Sequence, residues 1–265
     1  LIERLETIDN VEINDIKKIQ NDNFNYKAYE VLPLILDEID TSKLTYEQKI
    51  YFKNLKNWDY FAEVSNENQV VFNEWWNNLY KNIWDEFDSL KYPYRKPNSF
   101  RTYKLIKEDK NSKFYDVIST SKNESLNDLI NKSFLEITVK LDTFKKRNSL
   151  KKIKWDHYKN TTINHLLRIK SFSYDSVSIG GYRNILNAAS ERHGPSFRLI
   201  VKLKQNEKTK AWGVYPGGQS GNIGSQNYFG EVENWGNGVY NKLLFNSNYM
   251  DNRNHIIFEK KYNIK

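Results

Sequence analysis

Apolar residues recur at steps of three and four over roughly the first 170 positions, then give way to strict alternation. That change of period, near Ser171, predicts helices followed by strands. Asn10 is read as the cap of a helix carrying Ile13, Ile16 and Ile19. A second helix is expected from Tyr26 to Ile39, kinked or broken at Pro33, whose missing N–H removes one helical bond. Thr45-Tyr46-Glu47-Gln48 has the form of a capping box and opens a helix toward Trp58. The longest helix is expected after Ser65, with Phe72, Trp76, Leu79, Ile83 and Phe87 in one stripe. Such a stripe is read as the side of a helix that faces the core, not as an aromatic wall for a ligand. Lys91 to Pro97 reads as a loop between helical layers, and Asn98 to Lys113 lacks a clear period. Ser125 then caps a helix bearing Leu129, Phe134, Ile137 and Leu141. It ends in Lys145-Lys146-Arg147, where cations suit the negative end of the helix dipole.

Between Gly180 and Phe245 the pattern is that of a β-meander, with loops that hold most of the glycine. Phe197, Leu199, Val201 and Leu203 point one way and Ser196, Arg198 and Lys202 the other, with Ile200 the apolar exception. A period of two over eight residues predicts a strand with at least one buried face. Ala211 to Tyr215 forms a second strand, stopped by Pro216-Gly217-Gly218, and Val239 to Phe245 a further one. Residues 1–170 are thus expected to form a helical region and 171–265 a β-rich region of the same layered core. The class is α+β.

Composition narrows the partners. The 265 residues carry a formal charge of +8, and 15% are aromatic. Lysines are interspersed with acids, so the charge reads as solvated faces, and no nucleic-acid partner is expected. Mean hydropathy is −0.79, and no run of about 18 apolar residues occurs, so no membrane span is expected. Without cysteine there is neither a disulfide nor a thiolate metal site.

Candidate chemistry is sparse. His157, His165, His193 and His255 form no HxH or HxxxH pair, so no metal site is expected. Gly218-Gln219-Ser220-Gly221 matches a nucleophile elbow only in part, and no helix follows it, which makes a tight turn the better reading. No glycine run ends in Lys-Ser or Lys-Thr, so a phosphate loop is absent. Glu231 and Glu233 are read as an exposed strand edge, not as a glycosidase pair. Taken by themselves, the residues display no self-contained catalytic set. At the start, Leu1, Ile2 and Leu5 already follow helical spacing with no capping residue before them, so the chain is expected to be part of a longer protein.

Several stretches resemble the penicillin acylase family of N-terminal-nucleophile hydrolases. They include GPSFRLIV, PGGQSGNIGS and Trp235-x-x-Gly238-x-Tyr240. In the same order as in that family come Leu55 to Tyr60, Phe72-x-x-Trp75-Trp76, Trp155-Asp156-His157 and His165-Leu166, so the likeness covers nearly the whole chain. It implies the C-terminal portion of an αββα fold, within the β subunit of an amidohydrolase that cleaves N-acyl substrates of β-lactam or acyl-homoserine-lactone type. There the amino group of an N-terminal serine acts as base and its hydroxyl as nucleophile, while backbone N–H and an asparagine hold the oxyanion. All these groups are expected upstream of Leu1, which leaves no catalytic residue in this chain and predicts that it is inactive alone. Tyr182, Asn187 and His193 are expected at the rim of the acyl pocket or just behind it. No cofactor is expected in this chain, although the resemblance admits calcium in the parent. The partners implied are the α subunit, the N-terminal part of the β subunit and a small N-acyl amide; the location implied is periplasmic or secreted. Two departures stand out. Ser225-Gln226-Asn227-Tyr228-Phe229-Gly230-Glu231 replaces the family's S-P-H-Y-x-D-Q, and Lys202 stands where I-V-D-L has its acid. A reading of another class is a stand-alone basic, aromatic-rich module that binds polysaccharide or nucleic acid.

Overall fold

A computed structural model describes residues 1–88, 92 and 94–244. Helices α1 (Ile2–Glu6), α2 (Ile13–Gln20), α3 (Tyr26–Leu36), α4 (Tyr46–Lys56), α5 (Glu67–Ile83), α6 (Ser99–Glu108), α7 (Leu126–Arg147) and α8 (Trp155–Lys159) come first. An antiparallel pair, β1 (Thr161–Ile163) and β2 (Tyr174–Val177), follows. A three-stranded antiparallel sheet completes the described chain in the order β3 (Arg198–Lys202), β4 (Lys210–Val214), β5 (Asn241–Leu243). Helix α9 (Val232–Asn237) lies between β4 and β5 in sequence. The fold is α+β.

The caps set the helical frame. Thr45 and Ser125 each accept from the backbone N–H three residues on and receive a side chain in return, so both capping boxes form. At α2 the cap is Glu12, paired with Asp15, and not Asn10. Asn98 caps α6 in the stretch whose period was unclear. Helix α3 runs through Pro33 without a break. Burial of Ala28, Val31, Leu32, Ile35 and Leu36 offsets the ~3 kcal/mol that an interior proline costs. The longest described helix is α7, of 22 residues, rather than the 17-residue α5. Phe72, Trp76, Leu79 and Ile83 face the core as expected. Of the expected loop at 91–97, residues 91 and 93 lie outside the described residues, and 94–97 are irregular.

Two buried clusters result. The larger joins α3, α4, α5 and α7, where the Trp75 ring meets Phe134 edge-on at 4.9 Å and its Nε1 donates to the Ile130 carbonyl at 3.3 Å. Trp84 fastens α6 to it by donating to Thr102 Oγ1 at 2.9 Å. The smaller cluster gathers Val177, Ile179, Ala189, Ile200, Val214, Val232, Trp235 and Tyr240, and α2 packs on it through Ile13 and Ile16. Three bonds of long reach hold α2 there. Gln20 Nε2 donates to the Leu199 carbonyl, Tyr240 Oη to Gln20 Oε1, and Asn21 Nδ2 to Tyr240 Oη.

The sheet buries the face opposite to the one that its apolar residues mark. Arg198 and Ile200 are 3% and 5% exposed, whereas Phe197, Leu199, Val201 and Leu203 are 52%, 41%, 42% and 78% exposed. Register pairs Ile200 with Trp212 and Arg198 with Val214, on the side covered by α2 and the Trp235 cluster. Leu199 and Val201 pair with Gly213 and Ala211 on the other side. Alternation gives the two faces correctly, but burial is decided by what lies over each. The stretch around Glu231 and Glu233 also differs from expectation. It is the start of α9, ended by Gly238 at φ +66°, and not a strand edge. Phe245, expected to end the last strand, lies outside the described residues.

Candidate functional site

The best-organised polar structure is the loop from Ser178 to Arg198, and α8 is what holds it. One face of this short helix presents three consecutive grips. Asp156 Oδ2 accepts from Ser178 Oγ at 2.7 Å, and Trp155 Nε1 donates to the Gly181 carbonyl at 2.9 Å. Lys159 is 3% exposed, and its Nζ reaches four carbonyls: Ile179 and Gly180 at 2.9 Å, Ala189 at 3.0 Å and Gly181 at 3.3 Å. Burial pulls its pKa down to about 7, against the smaller opposing pull of Glu191 and Asp156. The Trp-Asp pair was visible in the sequence. Lys159 was not, since a lysine among lysines carries no sign of burial.

Gly181 turns the loop at φ +70°, and a Cβ there would stand 2.0 Å from the Asn187 carbonyl oxygen. Asn187, 3% exposed, is the node of the loop. Its backbone N–H donates to the Asp22 carbonyl at 3.0 Å and its Nδ2 to Asn23 Oδ1 at 2.9 Å. Its Oδ1 accepts from Arg198 Nη2 at 2.7 Å. Arg198 also donates through Nη1 to the Trp235 carbonyl at 2.6 Å, and its guanidinium lies 5.6 Å from the Trp235 ring centre. Its Nε is buried without a partner, and burial lowers its pKa. No carboxylate pairs with this cation among the described residues.

Tyr182 sets its ring edge-on to Trp155 at 5.1 Å and donates to Glu191 Oε1 at 2.7 Å. Burial, then Glu191, pushes its pKa far up, so the phenol stays protonated. His193 contributes its carbonyl to Ser190 N–H at 2.6 Å and to Ser190 Oγ at 3.1 Å, and its imidazole lies exposed at the edge of a cavity. Tyr182 and Asn187 therefore share one hydrogen-bonded loop, and His193 stands just beyond it. Their hydrogen bonds fix backbone and side chains in place and make no nucleophile–base pair, since Ser190 Oγ meets a carbonyl and not an imidazole. Ser220 Oγ accepts from Asn222 N–H in a tight turn. Among the described residues no group of three or more His, Asp or Glu could hold a metal ion. No helix among them is long and apolar enough to cross a membrane.

In this α+β fold, a glycine-turned loop is clamped by buried cations that reach backbone carbonyls and an amide. A sequence model described as penicillin amidase matches residues 1–252, and the chain belongs to the penicillin amidase family. Membership makes it an acylase-like hydrolase acting on amides. No curated protein matches the chain.

Proposed function

We propose that this chain is the C-terminal portion of the β subunit of a penicillin-acylase-like amidohydrolase, exported to the periplasm or secreted. The parent hydrolyses the amide of N-acyl substrates of β-lactam or acyl-homoserine-lactone type. In this reading an N-terminal serine, upstream of Leu1, supplies both base and nucleophile. Its amino group takes the hydroxyl proton, the oxygen attacks the amide carbon, the amine leaves with a proton, and water then hydrolyses the acyl ester. The present residues build the wall behind that chemistry. The loop from Ser178 to Arg198, with Tyr182 and Asn187, borders the acyl pocket on a clamped backbone.

One observation carries the reading: the bare apolar face of β3, with Phe197, Leu199, Val201 and Leu203 exposed in a row. A face of that kind calls for a second layer of chain, and in an αββα core that layer is a sheet from the upstream portion. Mixing this chain with the missing α subunit and N-terminal β-subunit portion tests it. The assembled protein is expected to hydrolyse an N-phenylacetyl amide while each part alone is inert. Turnover at enzymatic speed by the 265 residues alone, or an inert assembly with its two parts firmly joined, overturns it.

A further inference from the structure

A cavity of about 380 Å³ opens between the turn that joins β1 to β2 and the loop before β3. That volume lies at the lower end of the roughly 300–1,000 Å³ in which small-molecule pockets occur. Four of its lining residues carry cationic or imidazole side chains: Arg168 and His165 from the first wall, Arg192 and His193 from the second. Its lining contains no Asp or Glu. Neither arginine has an ion-pair partner among the described residues. The adjoining depression, which shares both arginines, holds Asp175 and Glu191, and Glu191 is already committed to Tyr182 and Arg183.

Both walls are built rather than draped. Arg168 sits at φ +57°, a conformation that residues other than glycine adopt rarely, and its N–H donates to the His165 carbonyl at 2.8 Å. The His165 N–H in turn donates to Ser173 Oγ at 3.0 Å, and its ring lies 5.3 Å from that of Phe172. On the other side, Thr162 N–H donates to the Glu191 carbonyl at 2.9 Å and Trp235 Nε1 to the Pro195 carbonyl at 2.8 Å. Gly194 lets that loop rest on the indole, because a Cβ there would come within 2.6 Å of Trp235 Cζ2. Ile163, Tyr215 and Pro216 give the cavity apolar surface beside its cations, over the buried Trp235.

Two exposed guanidinium groups beside an acid-free concavity offer an anion its counter-charge, and arginine meets a carboxylate through two parallel hydrogen bonds. We infer that this cavity binds a small organic carboxylate, its head group taken by Arg168 and Arg192 and its apolar body laid on Ile163, Tyr215 and Pro216. The cavity shares part of the loop from Ser178 to Arg198 with the amidohydrolase reading, but its readout is carboxylate binding and not amide turnover, so the two fail separately.

Titration calorimetry of the whole chain at low salt tests it with benzoate, its neutral isostere benzamide, and inorganic phosphate. Benzoate is expected to bind, and to bind about tenfold or more tightly than benzamide and phosphate. Arg168→Gln and Arg192→Gln, both at surface positions, are each expected to weaken benzoate about tenfold or more, and Lys151→Gln to leave it unchanged. Absence of benzoate binding at ~10 mM, far above the range of a specific small-ligand site, overturns the inference. So does phosphate binding as tight as that of benzoate, because the apolar surface would then contribute nothing. Equal affinity in the arginine variants does the same.

Discussion

The helical cluster and the sheet region solve the same problem by opposite means. Around Trp75 and Phe134, side chains from four helices close on one another and leave little that needs a further partner. Around β3 most of the strand's apolar residues face outward, and the smaller cluster under Ile200 is bordered by two buried cations reaching for carbonyls and an amide. Packing density stabilises the first region. The second depends on directional polar bonds, in which a lost partner leaves buried groups unsatisfied. A region whose apolar side chains are covered and a strand that exposes its own thus sit in one chain.

Three variants sharpen that contrast. Trp75→Ala, at a fully buried site, is expected to cost about 3–5 kcal/mol in urea unfolding. A loss under 1 kcal/mol would mean that the helical cluster is looser than its geometry. Lys159→Met keeps the volume but strips a donor from four carbonyls, with an expected loss of about 1–3 kcal/mol at pH 7. Its pH signature is more telling. With a folded pKa of about 7, below the ordinary lysine value, the folded chain releases a proton that the unfolded chain keeps between pH 7 and about 10. Stability from this group therefore rises with pH across that window, by at most about 1.4 kcal/mol per unit. The methionine variant should lose this slope, and parallel curves for the two proteins would refute the assignment. Smallest of all, Leu199→Thr with Val201→Thr on the bare face is expected to change the chain's own stability by no more than about 0.5 kcal/mol. The same pair should prevent association with the upstream portion in a pull-down, whereas a large loss of stability would show the face to be already covered.

What the sequence made legible was local. Thr45 and Ser125 signal their helices through residues three positions away, and the stripe from Phe72 to Ile83 names its own buried side. Helix α6 was obscured because only Thr102 and Ile106 are buried along it. Helix α9 is hidden in the sequence because its six residues hold Gly236 and run into Gly238. Gly238 in fact ends the helix, and a Cβ at Gly236 would meet the Ser178 carbonyl at 2.8 Å. The face that β3 buries depends on α2, nearly two hundred residues earlier, and no local pattern contains that. The candidate site was legible in part. Asn187 is reached through the family resemblance, whereas its tie to Arg198 and the carbonyl cage of Lys159 arise only when distant segments meet.

The stitching of Gln20 to Tyr240 has a consequence for biosynthesis. The two residues are separated by 220 positions, an interval of roughly 10–40 s at ordinary translation speeds. Throughout that interval the stripe of Ile13 and Ile16 has no sheet to lie on, and it leaves the ribosome as an uncovered amphipathic segment that a chaperone can hold.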